Sequence, residues 1–146
     1  MTTKKKKEYL HDFNSPLSFS FEIAPITINH AYVFKGWKKF PTKEHTFFKR
    51  FIADEIEKYR GSVDLFKANI SATQPINCKI DFFLFRHLTK KNEISLKGND
   101  IDNLLKVTID AVFSALEIND ALICNLFVTK SQSKKDQSHF QIEISY

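Results

Sequence analysis

Leu17, Phe19, Phe21 and Ile23 alternate with Ser18, Ser20 and Glu22 in the segment LSFSFEI, so apolar and polar side chains fall on opposite sides of an extended chain. That two-residue period predicts a half-buried strand. The period returns at the end of the chain, where Phe140, Ile142 and Ile144 interleave with Gln141, Glu143 and Ser145. CKIDFFLFRHL, Cys78 to Leu88, is instead rich in aromatic and aliphatic residues on both faces, as expected of an interior strand. LICNLFVTK, from Leu122, makes a further strand. The lysine-bearing SQSKKDQS that follows it reads as a hairpin connection to the last strand.

Two segments change to helical spacing. Phe47, Phe48, Phe51, Ile52, Ile56 and Tyr59 form one stripe, with Thr42 as N-cap after Pro41 and Gly61 as the stop. Its outer face, with Lys43, Lys49, Arg50, Asp54, Glu57 and Lys58, reads as a solvated surface. Leu104, Leu105, Val107, Ile109, Val112, Phe113 and Leu116 predict a second helix of about four turns with Asp102 as N-cap. It is apolar around enough of its circumference to be packed on at least two sides. APITINHAYVFKGWKKFP, with two prolines and a glycine, predicts a loop holding a short strand near residues 31–34. Residues 62–77 carry no decisive period. The order of elements implies an α+β fold, with layers of an α/β kind: a mixed β-sheet with two main helices packed on it.

At 146 residues the chain is long enough for one domain with its own core, which we place at residues 16–146. Residues 1–15, with Lys4 to Lys7 in a row, form a basic arm, either a solvated tail or a DNA-contacting extension. The formal net charge of +5 favours a polyanionic partner without identifying it. Cys78 and Cys124 lack zinc-ligand spacing and read as buried thiols in a reducing compartment. The basic N-terminal run precedes no apolar segment of the signal-peptide kind, and no stretch approaches the roughly 18 apolar residues of a membrane span. A cytoplasmic protein with no membrane association and no small-molecule cofactor is expected.

The chemistry concentrates in GNDIDNLLKVTIDA, Gly98 to Ala111. On a helix, Asp102, Lys106 and Asp110 lie four apart and form a polar stripe on an apolar element. Two readings stand at this point. In one, Asp100 and Asp102 cap the positive end of the helix and Lys106 pairs with a neighbouring aspartate. In the other, Asp100 and Asp102 join Asp120, in EINDALI, as metal ligands. That closure requires the strand after Asp120 to run back beside the strand ending near Leu88. Three oxygen donors without nearby His or Cys suit Mg²⁺ or Mn²⁺, not Zn²⁺. Two such ions roughly 4 Å apart serve phosphodiester hydrolysis, with Lys106 neutralising developing charge or positioning water.

DIDNLLKVTIDAVFSALEINDALICNLFVTK closely resembles the signature of the RusA-like Holliday junction resolvases, endodeoxyribonucleases of bacteria and prophages. The shared pattern is Asp-x-Asp-Asn-Leu-x-Lys, an Asp-Ala on the same helix, and an acidic turn before a strand ending in Lys. Upstream, APITINHAY is similar to the family's Pro-x-x-x-Asn-x-x-Tyr segment. The resemblance implies a homodimeric, Mg²⁺-dependent enzyme, with Mn²⁺ able to substitute, that nicks two opposing strands of a four-way DNA junction. It assigns Asp100, Asp102 and Asp120 to the metal and Lys106 to catalysis. Asp110, Asn103 and Asn119 are expected to support these ligands. Asn119 departs from the family, which carries two adjacent acids in this turn; the change lowers local charge while keeping an oxygen donor.

Lys35, Trp37, Lys38 and Lys39, together with Lys90, Lys91 and Lys97, suit phosphate contacts around an acidic site, although each lysine is also an ordinary solvated residue. Trp37 reads either as a wedge at an opened branch point or as part of a core or dimer interface. The rival functions are a junction-binding protein without catalysis and a nuclease for other branched DNA.

Overall fold

The computed structural model describes residues 16–96 and 100–146. The expected basic arm and Lys97 lie outside the described residues. Four strands make the main sheet: β1 (Leu17–Phe21), β4 (Ile76–Leu84), β5 (Ile123–Gln132) and β6 (His139–Ser145). They are ordered β1-β6-β4-β5, with β6 antiparallel to both β1 and β4, and β5 parallel to β4. A separate two-stranded ribbon joins β2 (Tyr32–Lys35) to β3 (Lys38–Pro41). This is the α+β arrangement that the alternating patterns predict.

Among the described residues only one face of the main sheet is covered. Leu17, Phe19 and Phe21, then Ile76, Cys78, Ile80, Phe82 and Leu84, then Phe140, Ile142 and Ile144 all point into the core. Opposite them, α2 (Lys43–Glu57) contributes Phe48, Ile52 and Ile56, and α4 (Ile101–Leu116) contributes Leu104, Val107, Ala111 and Leu116. The other sheet face is lined by Ser18, Ser20, Lys79, Asp81, Gln141 and Glu143. β4 is therefore interior by its neighbours and not by burial of both faces. The half-buried Phe83 on its open side stacks on His139, with ring centroids 4.8 Å apart.

Several expectations need correction. β5 and β6 do not form a hairpin, because β4 lies between them. The connecting segment instead laps over the end of β4, where the Ser133 amide donates to the Leu84 carbonyl and the Phe85 amide donates to Ser138 Oγ. The helix after Thr42 breaks at Lys58 and Tyr59, before Gly61, which falls inside the next helix, α3 (Arg60–Ala68). The guanidinium of Arg60 bridges that break to Glu57 at 2.7 Å. The N-cap of α4 is Asp100, with Asp102 in the first turn. The APITINHAY region holds a one-turn helix, α1 (Ile28–Ala31), ahead of the β2–β3 hairpin. Cys78 is buried, and burial pushes its thiol up to about 12, whereas Cys124 lies exposed on β5. No helix among the described residues is long and apolar enough to cross a membrane.

Phe140 sits where β1, β4 and α2 meet, with its ring within 6.0 Å of Phe21, Phe48 and Phe82. Phe140→Ala is expected to destabilise the fold by about 3–5 kcal/mol, measured by urea unfolding. Alkylation of the native chain is expected to label Cys124 and to reach Cys78 only after unfolding.

Candidate metal and nucleic-acid site

Asp100 terminates the segment from β4 and starts α4; its carbonyl accepts the Leu104 amide at 3.1 Å, while its carboxylate makes no capping bond. Asp102 follows in the first turn, exposed like Asp100. Both carboxylates stand at the positive end of the helix, where unsatisfied amides favour negative charge. Lys106 is exposed one turn on, and Asn103 is half-buried between them. Among the described residues no ion pair involves Asp100, Asp102, Lys106, Asp110 or Asp120, so the neighbouring pair expected for Lys106 does not form.

The segment leading into Asp100 is tied to the end of β5. Gln132 accepts from the Leu88 amide through Oε1 at 2.9 Å and donates through Nε2 to the Phe85 carbonyl. Beyond that clamp a tight turn, with Asn92 at φ 60°, exposes Lys90 and Lys91. These two expected phosphate contacts thus lie on the loop that precedes Asp100.

Asp120 is not at that end. β5 runs parallel to β4, so α4 must carry the chain back along the sheet, and its 16 residues span about 24 Å. Asp120 opens the 3-10 turn Asp120–Leu122 beyond the far end of α4. There Asn119 caps the turn, its Oδ1 accepting the Ala121 amide at 3.0 Å. The amide at this position therefore already uses an acceptor site in holding the turn. One chain accordingly brings Asp100, Asp102 and Lys106 together and holds Asp120 apart from them. Among the described residues no three acidic, histidine or cysteine side chains are grouped to hold a metal ion. The donor chemistry of each half still fits a hard divalent cation, because only carboxylate and amide oxygens are offered.

Asp120 shares an open cleft of about 370 Å³ with Asp110, Asn119, Glu117, Tyr32 and Lys49. Asp110 and Asn119 thus lie with Asp120 and not with Asp100. Tyr32 and Lys49 are not among the residues that the sequence nominates: Lys49 reads as an ordinary charge on the outer face of α2. The available signal for Tyr32 is the tyrosine of APITINHAY. Under the cleft, His45 is buried edge-on to the Tyr32 ring at 4.8 Å, and neither ring nitrogen has a hydrogen-bond partner among the described residues. Burial, then the charge of Lys49, holds its pKa below the usual 6.5.

The β2–β3 hairpin projects beside this cleft. Its two-residue turn has Gly36 at φ +63° in the first central position, which a residue without Cβ adopts freely. Trp37 occupies the second and is 103% exposed, with Phe34 at 73%, so Trp37 joins no core among the described residues. Lys35 and Lys38 flank the turn as a register pair. Lys39 leans back, its Nζ 3.8 Å from the centre of the Tyr32 ring.

A model of the family described as endodeoxyribonuclease RusA matches residues 24–145, a span that takes in both halves of the candidate site and the hairpin. No individually curated protein matches the chain significantly.

The lowered pKa of His45 makes a stability prediction with a definite sign. The unfolded chain binds more protons than the folded one just below pH 6.5, so stability present above that pH is lost as pH falls through the window. Melting temperature is expected to drop as pH falls below 6.5 in the native chain, and to drop less in His45→Leu.

Proposed function

The chain belongs to the RusA endodeoxyribonuclease family, and on that basis we propose that it resolves four-way DNA junctions. It does so as a homodimer making paired symmetric nicks in the presence of Mg²⁺, with Mn²⁺ able to substitute. The observation that carries the reading is the exposed pair Asp100 and Asp102 at the head of α4, with Lys106 one turn on and Lys90 and Lys91 on the approaching loop. Bare carboxylates on a DNA-facing surface repel phosphate, so a polyanion binder gains by keeping them only if they hold a cation.

In this reading Asp100 and Asp102, at one end of α4, and Asp120, beyond the other, would be the carboxylate ligands of the metal, which would activate water and stabilise the leaving oxygen. Lys106 neutralises charge developing on the scissile phosphate. Asn103 orients the first turn beside Asp100 and Asp102, Asp110 supports Asp120 from one cleft wall, and Asn119 fixes the turn that presents Asp120. The hairpin lysines Lys35, Lys38 and Lys39, with Lys90, Lys91 and Lys97, contact phosphates and set the register of the duplex arms. Trp37, fully exposed among the described residues, stacks on a base at the branch point.

A labelled synthetic junction is expected to be nicked on two opposing strands with Mg²⁺ and left intact with chelator. Asp102→Asn is expected to lower the nicking rate at least about a hundredfold, the scale of removing one charge-stabilising group, while retaining junction binding. Binding with no nicking under any divalent cation would leave a junction-binding protein instead. Preferential cutting of flaps or forks would make it a nuclease of other branched DNA. Trp37→Ala is expected to weaken junction binding about tenfold, with little change for linear duplex, by gel shift at fixed salt.

A further inference from the structure

Lys49 reads in the sequence as one of the solvated charges of α2, but the helix turns it elsewhere. At 3.6 residues per turn it stands about 20° from Ile56 and about 40° from His45, and about 100° from Arg50. His45, Ile52 and Ile56 are buried. Lys49 therefore flanks the buried face of α2, one turn on from His45, and not the outer face that Arg50 shares with Asp54. There it lines the cleft of about 370 Å³ that also holds Asp110 and Asp120.

The charges around that cleft are unequal. Lys49 is its one cation among the described residues, against the carboxylates of Asp110, Glu117 and Asp120. Glu117 turns to Lys67, with 3.5 Å between the charged atoms. Lys49 enters no ion pair among the described residues. A lysine that served only to balance these carboxylates would close on one of them. An exposed, unpaired ammonium keeps its charge and its three donors for an incoming anion.

The hairpin leads a DNA strand to the same place. From residue 23 to residue 43 the chain has no acidic side chain. Lys35 and Lys38 pair beside the hairpin turn, and Lys39 lies over the ring of Tyr32 at the hairpin base. Tyr32 is itself a wall of the cleft. Cations thus occur at the tip, at the base and inside the cleft, and the last of them stands with Asp120.

We propose that Lys49 is a phosphate-binding residue of the active site, its ammonium gripping a non-bridging oxygen of the scissile phosphodiester on the Asp120 side. When hydroxide adds to phosphorus, the group passes from one negative charge to two before the bond to the leaving oxygen breaks. A fixed ammonium stabilises the second charge more than the first, so Lys49 acts on the rate of cutting more than on binding. The inference rests on the resolvase reading for its reaction, but the phosphate contact has a readout that needs no cutting.

Lys49→Met is expected to lower kcat for junction nicking about a hundredfold with KM changed less than about threefold, and Lys49→Arg to recover most of the loss. Arg50→Met removes the same charge from the neighbouring outward position and is expected to nick like the parent. Equal losses in the two methionine variants would reduce the effect to the general field of the protein and overturn the proposal. Mn²⁺ affinity of Lys49→Met, by calorimetry, is expected to hold or rise, because no ligand is removed. A fall would make Lys49 a prop for the carboxylates and not a phosphate contact.

A junction with a neutral methylphosphonate at the position that the parent nicks tests the contact directly. In gel shifts with chelator, that change and Lys49→Met together are expected to weaken binding no more than the larger of the two alone. Fully additive losses would overturn the contact. If the parent cuts no junction the resolvase reading fails, and the salt dependence of binding then decides Lys49 by itself. Lys49→Met is expected to lower the slope of log K against log salt by about one, and Arg50→Met to leave it unchanged. A slope unchanged in Lys49→Met would show that no phosphate sits there.

Discussion

Two parallel neighbouring strands cannot be joined by a tight turn, and much of this molecule follows from that constraint. β4 and β5 run side by side in the same direction, so the chain must leave the end of one and return to the beginning of the other. α4 makes that return, and its inner face is bound into the core by Leu104, Val107, Ala111 and Leu116. Its length is thereby matched to the strands it spans. The segment that enters α4, with Asp100, therefore belongs to one end of the sheet, and the turn that leaves it, with Asp120, to the other.

Burial on a single sheet face has a second consequence. α2 and α4 fill one side, and the Phe140 cluster ties β1, β4 and α2 together there. The helices turn their apolar faces to the sheet, so their polar positions remain on the outside. Asp102, Lys106 and Asp110 project from α4, and Lys49 from α2 meets Asp110 at the cleft. His45 is where this economy is strained, since a ring with two hydrogen-bonding nitrogens is buried without partners for either among the described residues.

The acidic and basic groups divide space in a way suited to a polyanion. Carboxylates occur at the head of α4 and in the turn beyond it, while lysines lie on the projecting hairpin and on the loop before Asp100. That division accords with membership of an endodeoxyribonuclease family, whose substrate is a polyanion. The hairpin is held at its base by Thr42, whose hydroxyl donates to the His30 carbonyl at 2.7 Å and accepts the His45 amide at 3.2 Å. One threonine thus caps α2 and anchors the ribbon that carries Trp37.

What the sequence determined by itself was local. Alternation in LSFSFEI and HFQIEIS depends only on which side of a strand faces the core, and Thr42 caps α2 through its own neighbours; both were legible and both formed. The Asp-x-Asp-Asn-Leu-x-Lys run was legible too, as were its helix and its family. The tertiary structure decided which strands are neighbours. A strand's period reports the burial of its faces and says nothing of who pairs with its edges, so β5 and β6 read as a hairpin although β4 separates them. The exposure of Cys124, the gathering of Tyr32 and Lys49 around Asp110, and the separation of Asp120 from Asp100 all come from that pairing and its crossover. These are relations between segments distant in the chain, set by hydrogen bonding and packing that no single stretch of residues encodes.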